Sequence, residues 1–314
     1  MTGPQYTDHA NSFGAVATEY DEARPSYPEQ LFDELERLAG RTLEGADVLD
    51  VGAGTGIATR LLAARGARVT AVEPSPGMAA RLHAVSPELR LVKGVGDELP
   101  FHDATADLVT YAQAFHWTDP ARSIPEAIRV LRPGGALATW WNVKDHAVGW
   151  VGAMGARLAE QLPSHHGRDT VDGLNGLVDG LLESYGLRTE TVVLRWERRI
   201  TVDHLITDLI SRSYLAVLAP ERRAPVLAAE RAALLAEFPD GQVTEPYLLR
   251  LTVALTRAGR AATGFTAARA DRIADVASGH RTGGVRSIAT SGPAPSHQRG
   301  GRSRLRRSGA QCPS

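Results

Sequence analysis

The chain has 314 residues, 43% of them hydrophobic and 23% charged, and a formal net charge of −1. That describes a globular chain of one large domain or two small ones, and its balanced charge excludes any global pull toward nucleic acid or an anionic membrane. Cys312 is the only cysteine, which excludes a disulfide framework, a cysteine-built metal cage and a core cysteine nucleophile.

The opening residues 1–10 lack the basic-then-apolar pattern of a signal peptide, and no apolar run is long enough to span a bilayer, so a cytoplasmic protein is expected. Residues 13–38 mix aromatic, acidic and turn residues, and Pro28 suits the first turn of a helix through Leu31, Leu35 and Leu38. A first strand is predicted at about 47–52 and a helix at about 55–66. Residues 68–73 form a second strand, followed by a helix that starts at Pro74-Ser75 and runs through Met78, Leu82 and Val85. Strands at 89–93 and 106–111 follow, then a helix at about 120–131, and the turn Arg132-Pro-Gly-Gly135 leads into a fifth strand at 136–141.

The second half is more helical. Residues 150–162 and 174–187 are amphipathic candidates, 191–200 a strand, 202–218 and 220–237 helices, and 247–255 a final strand. Strands and helices alternating at this spacing call for an α/β fold: a doubly wound, mostly parallel Rossmann-like sheet of about seven strands. From about residue 258 Ala, Gly, Ser, Thr, Pro and Arg dominate, and after Asp275 no acid remains. Such a segment has too little apolar surface to offset its ordering entropy, so 259–314 reads as a disordered basic tail on a domain of residues 1–258. Its arginines do not by themselves require a nucleic-acid partner.

The chemistry concentrates at Val48-Leu-Asp-Val-Gly-Ala-Gly-Thr-Gly56, a buried strand running into a glycine turn and a helix start. This is the geometry of an α/β nucleotide site, where Gly52, Gly54 and Gly56 let the chain bend and a ligand approach. The dinucleotide fingerprint G-x-G-x-x-G is absent, because Ile57 stands at its third glycine. Asp50, two residues before the turn, would repel a pyrophosphate and suit a cationic ligand. S-adenosylmethionine (SAM) is such a ligand, with a sulfonium, an ammonium and no phosphate. Glu73, followed by Pro74, lies at the interval expected of an acid that accepts from ribose hydroxyls. A NAD site shares that feature, so a NAD-dependent oxidoreductase stays open here, as does a SAM-binding module without transfer activity.

The D-x-G-x-G-x-G form resembles motif I of the class I SAM-dependent methyltransferases. Gln113-Ala-Phe-His-Trp117 and the opening Phe13…Tyr20-x-x-x-Arg24-Pro-x-Tyr27-Pro28 resemble a type-11-like subgroup that includes trans-aconitate methyltransferase relatives. Leu131-Arg-Pro-Gly-Gly135, Trp141-Asn142 and Ser211-Arg-Ser-Tyr214 extend the likeness over roughly residues 13–257. The resemblance implies methyl transfer from SAM to a small molecule, with an antiparallel last strand, a helical insertion between strands 5 and 6, and an N-terminal lid of about 40 residues. It implies that Gly96 and Asp97 contact the adenine edge, with Glu98 competing for the second role and Met78 packing on the ring. It places Gln113, Tyr20 and Arg24 near the cofactor, Arg24 as a fork for a carboxylate. Tyr27, Phe115 and Trp117 are then expected to line the acceptor pocket, and His116 to act as general base. His165-His166 lacks partner acids, and no metal is assigned.

Overall fold

The computed structural model describes residues 21, 23–162, 171–210, 212–216 and 218–256. Tyr20, most of the expected lid, the His165-His166 pair and the 259–314 tail lie outside the described residues.

Seven strands form one sheet in the order β3-β2-β1-β4-β5-β7-β6. Strands β1 (Asp47–Val51), β2 (Arg68–Val72), β3 (Arg90–Val92), β4 (Ala106–Ala112) and β5 (Leu131–Lys144) pair in parallel. The last strand, β7 (Gln242–Leu255), lies antiparallel between β5 and β6 (Arg188–Thr201). Helix α1 (Glu29–Ala39) precedes β1, and α2 (Ile57–Ala64), α3 (Pro76–Val85) and α4 (Pro120–Val130) connect the strands. Between β5 and β6 come α5 (Gly149–Gln161) and α6 (Val171–Ser184), the helical insertion. Between β6 and β7 come α7 (Val202–Ile210), α8 (Ser213–Ala216) and α9 (Pro220–Glu237). No described helix is long and apolar enough to cross a membrane.

Strand alternation divides the core in two. Leu49, Val109 and Leu137 face Ile124 and Ala127 of α4 and Leu182 of α6. Their strand neighbours Val48, Leu108 and Ala136 face the other way, onto Leu31 and Leu35 of α1 and Leu62 of α2. Those three leucines are fully buried, each contributing about 1.5–3 kcal/mol of apolar transfer free energy. Helix α1 ends at Gly40, whose left-handed φ of +64° lets the Gly40 and Arg41 N–H groups close back on Arg37 and Glu36. Helices α5, α7 and α9 share a third cluster that includes Leu158, Leu205 and Leu234.

Three strands are longer than the sequence patterns predict. In β5 the register jumps, with Ala106 opposite Leu131 but Leu108 opposite Ala136. Arg132–Gly135 therefore loops out of the ladder as a bulge, and the strand resumes beyond it. Strands β6 and β7 have 14 residues each and pair along their whole length. Glu245-Pro246 reads locally as loop, yet the Pro246 carbonyl accepts from Asp145 N–H at 3.0 Å and the ladder runs through it. The helix expected at 202–218 is two helices, α7 and α8.

Candidate active site: a cavity where the strand order reverses

Chain direction across the sheet reverses between β1 and β4, and a crevice opens at the carboxyl ends of such strands. The glycine turn forms its floor. Gly52 and Ala53 N–H both donate to Val72 O, at 2.8 and 3.2 Å, which ties the end of β1 to β2. Gly52 has φ +70°, and a Cβ there would stand 2.6 Å from Ala114 Cβ. Gly54 has φ +59°, and a Cβ there would meet nothing within 4 Å. One glycine is required by a protein neighbour, the other by its backbone and by the open space before it.

Glu73 lies just beyond β2 and is 6% exposed. Its Oε2 accepts from Gly54 N–H at 2.7 Å and its Oε1 from Ser75 N–H at 2.8 Å. Burial raises its carboxyl above the usual range, while the two amide donors and the nearby Asp50 act in opposite senses. Each oxygen keeps a lone pair for a further donor. Pro74, Met78, Gly96, Gln113, Tyr27 and Trp117 also line the cavity. Gln113 holds φ +58°, rare outside glycine, with its N–H on Trp140 O at 2.9 Å and its amide Nε2 on Asn142 O at 3.3 Å. Asp97 is half-buried behind Gly96, its Oδ1 accepting from Asp119 N–H at 2.9 Å, and burial raises its carboxyl. The Glu98 side chain is 82% exposed and leans toward Arg122, so its competition with Asp97 has no geometric support.

Gly56, where an added Cβ would stand 2.9 Å from Leu82 of α3, and Asp97 do not line the cavity, and four further expected site residues stand elsewhere. Asp50 is fully buried and not in the cavity wall. Alternation places it on the Val48 side of β1, where Thr59 of α2 and Thr110 of β4 donate to its two oxygens at 2.6 and 2.9 Å. Burial raises its carboxyl further. It braces the turn from below and does not face a cation. The three-residue turn Phe115–Trp117 splays its side chains about 120° apart. Phe115 consequently enters the core, edge-on to Tyr111 at 5.3 Å, while Trp117 faces the cavity. His116 points outward, and its Nδ1 accepts from Trp141 Nε1 at 3.2 Å. The neutral imidazole therefore carries its proton on Nε2, which leaves no basic nitrogen turned to the cavity. Arg24 sits 3.9 Å from Asp208 of α7, away from the cavity wall.

Sequence reading missed Thr55, Tyr111 and Thr118 in the cavity wall. It also missed the hub at Asn142, whose Oδ1 accepts from Trp196 Nε1 at 2.8 Å while its carbonyl takes Gln113. A second omission is a group of buried and half-buried charges: Lys144, Asp208 and Glu245, with Arg198 and Arg212. One signal was available. Asp208 falls on the same α7 face as Leu205 and Leu209, an acid in an apolar stripe.

This strand order, with a glycine turn after β1 and an acid after β2, defines a class I SAM-dependent methyltransferase. A family model described as a methyltransferase domain matches residues 49–139. The chain is 39% identical over 232 residues to uncharacterized methyltransferases of Mycobacterium bovis and Mycobacterium tuberculosis, covering 74% of this chain and 88% of each relative. An uncharacterized methyltransferase-like protein of Schizosaccharomyces pombe is 29% identical over 69% of this chain and 83% of its own length. Among solved structures, a protein proposed to be a type II methyltransferase from Anaeromyxobacter dehalogenans superposes with a TM-score of 0.56 at 26% identity, covering 74% of this chain and 97% of that one. The chain belongs to this methyltransferase family, and SAM is its cofactor.

Proposed function

We propose that the cavity is the SAM site and that transfer to a small-molecule acceptor proceeds by alignment, without His116 as general base. The observation that carries this reading is Glu73, a buried carboxylate fastened by Gly54 and Ser75 N–H with lone pairs to spare for two ribose hydroxyls. The open space before Gly54 fits a ligand backed against the turn. In this reading Gly52, Gly54 and Gly56 hold the amino-acid end, Met78 and Pro74 pack on the base, and Gly96 with Asp97 meets its edge. Trp117 and Tyr27 present aromatic faces that favour a cation.

When bound, SAM supplies a methyl group made electrophilic by its sulfonium. The residues around it orient the acceptor and exclude water, a contribution that can reach several kcal/mol. The Gln113–Trp117 string and the Arg24-Pro25 opening support a small acceptor, by their likeness to trans-aconitate methyltransferase relatives.

Calorimetric titration with SAM, S-adenosylhomocysteine and NAD tests the cofactor part. Binding of the first two without NAD is expected, and NAD binding alone would overturn the reading. Turnover of bound SAM in an acceptor panel separates an enzyme from a silent binding module. His116→Ala is expected to keep kcat within about tenfold, below the ~100-fold or more of a lost general base. A larger loss with unchanged SAM affinity would restore the base.

A further inference from the structure

Strands β5, β6 and β7 and the α7–α8 region bring five charged side chains together. Lys144 Nζ lies 2.6 Å from Glu245 Oε1 and 3.7 Å from Asp208 Oδ2. Arg198 meets Glu245 Oε2 at 2.7 Å, and Arg212 meets Asp208 Oδ2 at 2.8 Å. Among the described residues, Lys144, Arg198 and Arg212 close on two carboxylates, and Arg24 lies 3.9 Å from Asp208 Oδ1. Both carboxylates are fully buried. Burial opposes their ionisation, but Arg212, Lys144 and Arg24 around Asp208, and Lys144 and Arg198 around Glu245, outweigh it and hold both carboxyls below their usual values. Both acids are ionised, and among the described residues the cations around them outnumber them.

The same place holds donors with no acceptor. The Tyr247 hydroxyl, on a residue 1% exposed, has no hydrogen-bond partner among the described residues. Its ring stacks on Trp196 at 5.0 Å, and the Arg198 guanidinium lies 5.8 Å from the ring centre. Arg198 Nη2 is likewise buried without an acceptor among the described residues, whereas Lys144 Nζ is paired with Glu245 Oε1 at 2.6 Å. Buried donors and surplus positive charge are costly unless something accepts from them. The partner they lack is an oxyanion.

The cluster lies outside the cavity wall and is linked to it along β5. Lys144 is two residues past Asn142 on β5, and Asn142 O accepts from Gln113, which lines the cofactor cavity. At about 3.3 Å per residue the cluster begins some ~7 Å beyond Asn142, within the length of one small molecule.

We propose that Lys144, Arg198, Arg212 and the Tyr247 hydroxyl anchor an anionic group, carboxylate or phosphate, on the methyl acceptor. The anchored group is the handle by which the acceptor is held, whichever of its atoms is methylated. This rests on the methyltransferase reading of the neighbouring cavity.

The test is calorimetric titration of the full chain, loaded with S-adenosylhomocysteine, using succinate and inorganic phosphate at fixed ionic strength. At least one probe is expected to bind saturably, and at least tenfold more weakly in Tyr247→Phe and Lys144→Met. S-adenosylhomocysteine affinity should stay within threefold in both variants. Tyr247→Phe removes a hydroxyl that has no partner among the described residues, so its melting temperature is expected to hold or rise, which separates a lost ligand from a lost fold. Preference for succinate assigns a carboxylate, and preference for phosphate assigns a phosphate. Absence of saturable binding by either probe, or unchanged binding in Tyr247→Phe, overturns the anchor while cofactor binding stands. Failure of the unaltered chain to bind S-adenosylhomocysteine overturns the cofactor reading instead.

Discussion

Glu73 both fastens the glycine turn and, in the proposed site, receives the ribose, and both tasks need it ionised. Because burial raises its carboxyl above 4.5, protonation begins at a higher pH than for an exposed glutamate. SAM affinity should therefore fall as pH drops through that raised value, and Glu73→Gln should be weaker at neutral pH and flat across the range. Titration between about pH 8 and pH 5 checks both, the neutral-pH loss being about 1–3 kcal/mol. Gly54→Val makes a complementary prediction. The left-handed backbone costs valine about 1–2 kcal/mol of stability. Its side chain enters the open space, so SAM affinity should fall about 100-fold, or about 2.7 kcal/mol. Retained affinity in this variant would place the ligand elsewhere. These residues were legible because a strand, a glycine turn and an acid at fixed intervals are local signals. Asp50, Phe115 and His116 were misplaced because their direction depends on which face of β1, or which third of a short turn, they occupy.

Asp21 and the stretch 23–27 are held from two sides. Asp21 pairs with Arg60 of α2 at 2.9 Å and with Arg81 of α3 at 3.3 Å. At the other end Arg198 donates to Ala23 O at 3.0 Å, and Tyr27 stands edge-on to Trp140 at 5.9 Å. We propose that this stretch covers the cavity, which only Tyr27 of it lines. Asp21→Asn releases one end and should weaken SAM binding about 3- to 10-fold, roughly 0.7–1.4 kcal/mol, with faster proteolysis near residue 24. Unchanged affinity and cleavage would show that Asp21 fastens nothing the ligand uses. The elements themselves were legible from periodicity, because each helix or strand carries its own apolar pattern. The extensions of β5, β6 and β7 were not, since a bulge and a 14-residue ladder arise from partners distant in the chain. The buried charges on those strands escaped notice for the same reason: Lys144, Arg198 and Glu245 read locally as solvent-facing.

Across the whole molecule, buried acids respond to pH in opposite senses. Asp208 and Glu245 are held below their ordinary values of 3.8 and 4.5. Their contribution to stability is fully present above those values and is lost as pH falls through the lowered ones. Asp50 and Glu73 are raised, so their ionisation costs stability at neutral pH and that cost is relieved on acidification. The melting temperature should therefore hold or rise between about pH 7 and pH 5 and fall below about pH 4, and Asp208→Asn should already lower stability at neutral pH by about 3–5 kcal/mol. If residues 1–258 are the catalytic unit, as we propose, a chain ending at 258 should keep the melting temperature and SAM affinity of the full chain.

The position of β7 has a bearing on how the chain is made. β5 and β6 are not neighbours; each pairs with β7, which comes later in the chain than either. During synthesis the parallel half can assemble early, but its growing edge stays bare until residues 242–255 leave the ribosome. Until then β5 offers an open row of N–H and C=O groups, and β6 has no strand to join. Closure of the sheet is thus a late event that inserts a strand between two waiting ones. A nascent chain stalled before Gln242 is the form of this protein most exposed to sticking to another copy and most in need of a chaperone.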